Sequence, residues 1–388
     1  MKLKNPVVIY LSLVFSMVHP VTREVPSEYT TIQAAIDASY DQDTVLISPG
    51  TYQENISYDG KNIVVMSTYL LENDSTIIDQ TIINGDENGS VVVFAAGESE
   101  NSVLQGLTLT NGNGNYADPD GNGSYYTYGG GVYCQNASPI LKDLIIKDNS
   151  GNEGGGGGIF CYNASPTLIG CSISDNITND VGGGLYARDG SNVVLINVEF
   201  IDNEAEFGAG CYLRHESVPS MTNVTFADNI AANSGGGIVL KDNADAVMDQ
   251  VHIEGNIAEG LGGGVYINNA DPNIEYCLIA DNTASSGGGL YVRNNSDPLM
   301  SNITIAYNNA GLYGDGIYLR DGSDIELSNS LIWSNNDMQV YFREQGDEVS
   351  LSVSYSDIEN GQDGVFTNSN GELNWGAGML DDEPYFCN

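Results

Sequence analysis

Gly129-Gly130-Gly131-Val132-Tyr133-Cys134 returns as Gly156-Gly157-Gly158-Ile159-Phe160-Cys161 and as Gly182-Gly183-Gly184-Leu185-Tyr186-Ala187. The last glycine of this unit marks Gly131, Gly158, Gly184, Gly210, Gly237, Gly264, Gly289 and Gly316, at spacings of 27, 26, 26, 27, 27, 25 and 27 residues. A period in the twenties with no amphipathic helix inside it means that each repeat is one turn of a solenoid, which buries its apolar face only against its neighbours.

Inside one period the sequence resolves into short strands. The first and third residues after each glycine are small or aliphatic, as in Ile238-Val239-Leu240 and Val265-Tyr266-Ile267, so strand alternation turns them inward. A turn follows at Pro139, Pro166, Pro219, Pro272 and Pro298, where proline presets the backbone and needs no ladder donor. A second apolar stretch comes next, then a third, alternating one, such as Val198-Glu199-Phe200 or Ile303-Thr304-Ile305. Each repeat closes on an asparagine, read as Asn149, Asn176, Asn203, Asn229, Asn256, Asn282, Asn309 and Asn335. Stacked amides of this kind hydrogen-bond from coil to coil. Three strands per coil with an asparagine column describe an all-β fold, the parallel β-helix. Helical solenoids are excluded because glycine triplets and β-branched runs oppose helix.

With these motifs in place, the chain resembles the right-handed parallel β-helix proteins of the pectin lyase-like superfamily, particularly bacterial secreted ones with GGGIY-type repeats. Tyr29-Thr-Thr-Ile-Gln-Ala-Ala-Ile-Asp37 and Asp43-Thr-Val-Leu-Ile-Ser-Pro-Gly-Thr-Tyr-Gln-Glu-Asn55 resemble that family's N-terminal capping helix and first coil. Physical reading agrees, because Ile32, Ala35 and Ile36 make a short amphipathic turn able to cover the open end of a solenoid core. The resemblance implies fold and not activity, since this fold carries lyases, hydrolases, esterases, epimerases and non-catalytic proteins. Gly50 to Glu54 resembles the start of pectin methylesterases, but the later motifs of that class, and the paired aspartates of polygalacturonases, are absent.

The expected organisation has a leader, one domain and an irregular first part. Lys2 and Lys4 before the apolar run Val7 to Val18 read as a secretory signal within residues 1–20, too short to span a bilayer comfortably. A single β-helix domain follows over 21–388: cap and irregular coils over 21–128, regular repeats over 129–336 and last coils over 337–388. The irregular coils run around Ile63 to Met66, Ile77 to Ile83, Val91 to Phe94 and Val103 to Leu109. Trp375 to Asn388 stops in mid-motif, so a truncated reading frame is expected. The net charge of −40, from 52 acidic and 12 basic residues, argues against nucleic acid as a partner and against adsorption to anionic membranes, and a secreted or cell-surface monomer is expected. Cys134 and Cys161 share an inward column about 5 Å apart, where parallel side chains favour stacked thiols over a disulfide.

Chemistry must come from the outward columns. The second residue after each glycine gives Tyr133, Phe160, Tyr186, Tyr212, Val239, Tyr266, Tyr291 and Tyr318. The fourth gives Gln135, Tyr162, Arg188, Arg214, Lys241, Asn268, Arg293 and Arg320. Aromatic and cationic ladders side by side suit an anionic polysaccharide: rings pack on sugars, and guanidinium or ammonium groups meet uronate or sulfate. The competing account is structural, with tyrosine as a good strand residue and each cation paired with Asp189, Asp242 or Asp321. No catalytic constellation stands out. Lys241, Asp242 and Arg214 are the candidates for a lyase or glycoside hydrolase, and a purely structural surface stalk or adhesin is the third class. His215 and His252 read as surface residues. Asp118-Pro-Asp120-Gly-Asn122-Gly123 fits the opening of a calcium loop through Asp118, Asp120 and Asn122, although position twelve is Gly129. No cofactor is otherwise required.

Overall fold

A computed structural model describes residues 19–384. The expected leader falls on residues 1–20, and its apolar run therefore lies outside the described residues. Among these, no helix is long and apolar enough to cross a membrane.

The chain winds into a parallel β-solenoid. One sheet holds twelve strands, one per coil, from Ile56–Ser57 to Val365–Phe366, and carries the glycine-headed segments; we call it the tyrosine sheet. A broad sheet of twenty-four strands takes two segments from most coils, such as Ile140–Lys142 and Ile145–Lys147. A closing sheet of seven short strands runs from Ser150–Asn152 to Asn309–Tyr313. Neighbouring coils pair in register, so that Val132, Ile159 and Leu185 form one column and Cys134, Cys161 and Ala187 another. Cys134 and Cys161 remain free thiols, and burial, with Cys161 alongside, pushes the Cys134 thiol well up.

Corners are made by residues with positive φ. Asp143, Asn197, Asn223 and Asn302 bend the broad sheet between its two segments, and Asp148, Asp175, Asp202 and Asp228 precede the asparagine column. Short polar side chains tolerate this left-handed region because they hydrogen-bond locally. The inward side chains merge into one continuous apolar cluster from Val25 to Val365, in which Phe200 and Phe226 stack at 4.8 Å and 3°.

Beside that core runs the amide ladder. Nδ2 of each asparagine donates to Oδ1 of the next, through Asn149, Asn176, Asn203, Asn229, Asn256, Asn282, Asn308 and Asn335, and the series ends on Gln339. The member from the seventh coil is Asn308 and not Asn309, which is exposed on the closing sheet. The reason is geometric: each ladder asparagine sits three residues past an inward core residue, and three past Ile305 is Asn308. The third glycine of each unit lies against this ladder. A Cβ at Gly237 would stand 2.7 Å from the Gly264 carbonyl and 3.3 Å from Asn256 Nδ2.

At the N-terminal end, α1 (Ile32–Ala38) buries Ile32, Ala35 and Ile36 over the first coil, as expected. Thr31 caps it through Ala34 N–H, and the Glu54 carboxylate takes the Ile32 and Gln33 N–H groups at 2.9 Å, satisfying donors a helix start leaves open. Two short helices, α2 (Tyr69–Glu72) and α3 (Thr76–Gln80), interrupt the early coils. Part of the irregular stretch Ile77 to Ile83 is therefore helical before it joins the broad sheet at Thr81–Asn84.

Candidate functional site

The tyrosine column leaves the core face of its sheet, yet it is not a surface. Tyr133, Tyr186 and Tyr291 are at most 2% exposed, Tyr212 and Tyr318 are 6–7% exposed, and Tyr266 is half-buried. The rings form a second apolar layer. Tyr128, Tyr133, Phe160, Val181, Tyr186, Tyr212 and Val239 make one cluster, and Tyr291, Tyr318 and Tyr341 make another. What covers them is the residue just before five of the eight glycine units: Tyr128, Val181, Phe207, Leu261 and Tyr313. Tyr128 lies 4.4 Å from the Phe160 ring and Tyr313 lies 4.7 Å from that of Tyr341, both stacked. The signal was present in the sequence as a bulky residue ahead of several triplets. Burial raises the pKa values of Tyr133, Tyr186, Tyr212, Tyr291 and Tyr318, that of Tyr186 well above its ordinary value.

The cationic column is in register as expected, with Gln135, Tyr162 and Arg188 paired across neighbouring strands, and Arg214, Lys241, Asn268 and Arg293 likewise. Its members have unequal partners. Arg188 is almost fully buried, bonds Asp189 at 2.5 Å, pairs with Asp120 and stacks over Tyr162. Lys241 is 3.8 Å from Asp242, which also lies 3.6 Å from His215, so two of the three catalytic candidates, Lys241 and Asp242, sit in a partly exposed chain of polar contacts. Arg320 and Arg293 share Asp321 at 2.5 and 3.7 Å.

Arg214 differs. Its guanidinium lies over the rings of Tyr186 and Tyr212, at 5.4 and 6.0 Å, and no carboxylate of the described residues stands within 4.0 Å. Its Nε is buried without a hydrogen-bond partner. Burial alone would lower its pKa, but Tyr186, Tyr212 and the more distant Asp189 and Asp180 hold the group firmly protonated.

Arg188 and Arg214 line a pocket of about 280 Å³ together with Tyr126, Tyr128, Tyr186 and three carboxylates, those of Asp120, Glu153 and Asp180. Its roof is the long loop after Asn111, folded as an antiparallel ribbon of Asn115–Ala117 against Tyr126–Tyr128. Burial raises the Asp180 carboxyl, with Arg214 opposing and Glu206 adding to the shift, and burial pushes Tyr128 up to about 12. Asp180 and Tyr126 carry no periodic signal, because they sit in connections whose lengths vary. The calcium-loop residues are engaged by the protein itself. Asp118 accepts the N–H groups of Asn122 and Gly123 at 3.1 and 2.7 Å, Asp120 pairs with Arg188, and Asn122 bonds Ser124 N–H at 2.8 Å. Among the described residues no three His, Cys, Asp or Glu side chains are grouped to hold a metal ion.

A parallel β-solenoid with a loop-roofed pocket of mixed charge on one sheet defines the class. The family model for the right handed beta helix region matches residues 121–261 and 236–375, and the chain belongs to that family. Solved structures with a similar fold include the A-module of the Azotobacter vinelandii mannuronan C-5 epimerase AlgE4. That match has 16% identity and a TM-score of 0.52, and covers 91% of this chain and 92% of that one. The A-module of AlgE6 from the same organism matches at 16% identity and a TM-score of 0.51, covering 91% and 95%. Identities this low establish likeness of fold. No curated protein sequence matches the chain.

Proposed function

We propose that the protein binds an acidic polysaccharide across the tyrosine sheet, with one carboxylate or sulfate of the polymer seated against Arg214. The observation that carries this reading is the guanidinium itself: partly buried, stacked on two rings and without a carboxylate within ion-pair distance. A planar guanidinium offers two parallel donors to such an anion, and leaving it without an ionic partner in a partly buried site is costly. The buried tyrosines then serve as the floor on which the cations rest, and sugar rings meet the cation column and not the phenol faces. The similar structures named above are modules of enzymes that take mannuronan, a glycan, and a glycan ligand for this chain is in keeping with that.

One observation favours a second reading, a polysaccharide lyase. Asp180, whose carboxyl is raised by burial, shares the pocket with Tyr128 and Arg214, so a proton-transfer group and a charge-stabilising group face one cavity. The test is equilibrium binding to a panel of uronate and sulfated polysaccharides, with ultraviolet absorbance followed for unsaturated product. Saturable binding lost in Arg214→Gln supports the first reading. Product formation replaces it with the second, and neither signal on any member of the panel rejects both.

A further inference from the structure

Four coils beyond Arg188 in the tyrosine sheet, a second cationic centre stands on the same face. Arg293, Arg320 and Arg343 come from three successive coils and converge on one carboxylate: Asp321 lies 3.7 Å from Arg293, 2.5 Å from Arg320 and 3.2 Å from Arg343. Arg343 follows the strand Val340–Phe342, where no glycine unit announces it, and so lies outside the repeat pattern. Three guanidiniums around one aspartate leave two positive charges beyond what the ion pairs need. Glu344 reaches towards Tyr341 and Asp347 packs near Gly322, and neither comes within 4.0 Å of the three arginines. Nε of Arg293 is buried with no hydrogen-bond partner, and Arg320 donates to the Tyr291 hydroxyl at 3.1 Å. Behind the arginines Tyr291, Tyr318 and Tyr341 are stacked at 4.8 and 5.5 Å, which holds the platform rigid. In a protein of net charge −40, a local surplus of this kind is a site that anions seek.

We infer that this centre is a second subsite for the same acidic polymer, so that the ligand is selected by length. The inference rests on the binding reading above. Strands of neighbouring coils are about 4.8 Å apart, which puts Arg293 about 14 Å and Arg343 about 24 Å from Arg214 along the axis. Lys241 and Asn268 fill the register positions between them. An acidic chain long enough to reach both centres makes its second contact intramolecularly, and such linkage multiplies affinity by about 10² or more. A chain that cannot reach both gains nothing.

The test is a series of uronate oligosaccharides of graded length titrated into the full chain by calorimetry, for the parent, Arg214→Gln, Arg343→Gln and Arg293→Gln/Arg343→Gln. Arg343 is the most exposed of the three, and its single variant leaves Arg293 and Arg320 to hold Asp321, so melting temperature stays at the parent value. We expect affinity to rise steeply, by about 10²-fold, once the oligomer spans about 14–24 Å. The rise should shrink in Arg343→Gln and vanish in the double variant, in which short oligomers still bind at the Arg214 centre. A parent that binds with no such rise, or a rise that survives the double variant, overturns the second subsite and leaves the Arg214 reading intact. Binding that persists in Arg214→Gln but is lost in the double variant overturns the Arg214 anchor and keeps the second centre. Absence of binding at every length rejects both.

Discussion

Replacing Asn308 by alanine tests the ladder where the structure departs from the sequence reading. Its Nδ2 donates to the Ile279 carbonyl and to Asn335 Oδ1, both at 2.9 Å, and its Oδ1 accepts the backbone N–H and the Nδ2 of Asn282, both at 3.0 Å. All four bonds are buried, where water cannot replace them. At about 1 kcal/mol net for each, Asn308→Ala should cost about 4 kcal/mol. Asn309, one residue on, is exposed and accepts a single hydrogen bond from Asn336 at 3.2 Å, so Asn309→Ala should cost about 0.5 kcal/mol or less. Solenoid stability is roughly a sum of coil and interface terms, so the loss should concentrate in adjoining coils. Chemical denaturation gives the total, and amide hydrogen exchange around Ile279, Asn282 and Asn335 locates it. An Asn309→Ala variant as damaged as Asn308→Ala, or an Asn308→Ala loss below about 1 kcal/mol, would refute the assignment.

Two further outcomes are expected. Asp245, Asp271, Asp297 and Asp324 form a column in which one carboxylate accepts the next backbone N–H, and desolvation, with Asp271 and Asp324 beside it, raises the Asp297 pKa above its usual 3.8. A raised folded-state pKa means that the proton binds the folded chain more tightly, so its contribution is greatest below the unfolded value and is lost as pH rises through the folded one. Asp297→Asn keeps the acceptor and removes the charge. It should raise the melting temperature at pH 7, with the gain fading on acidification, whereas a lower melting temperature at neutral pH would contradict this. Second, we propose export through a leader within residues 1–20. N-terminal sequencing of protein recovered outside the cytoplasm should begin after that stretch, and an intact Met1 would argue for retention.

Much of the fold was legible because a solenoid repeats its constraints. Counting from Gly131, Gly158 or Gly184 assigns every side chain a column, and the in-register pairing of Val132 with Ile159 and Leu185 is that count made physical. The reading failed where two candidates lay side by side, as at Asn308 and Asn309. It gave no local structure for Thr76–Gln80, where a short β-branched stretch of an irregular coil adopts helix. The candidate site was legible only in part. Arg188, Arg214, Arg293 and Arg320 could be placed on one face, but Asp180, Tyr126 and Arg343 belong to segments without period.

By itself, then, the sequence determined the solenoid, its inward and outward columns, its asparagine ladder and the cap, because each follows from a local pattern repeated at fixed intervals. Tertiary structure decided what those columns can touch. Strand alternation sends Tyr133, Tyr186 and Tyr291 away from the core. Their burial depends on where the connections carrying Tyr128, Phe207 and Tyr313 run. Partner choice among the arginines is decided the same way: Arg188 takes Asp120 from a loop 68 residues earlier in the chain, Arg343 joins Asp321 from the next coil, and Arg214 is left to the pocket. Alternation and period describe one chain direction at a time, whereas coverage and charge pairing depend on distances between segments that only the wound coil brings together.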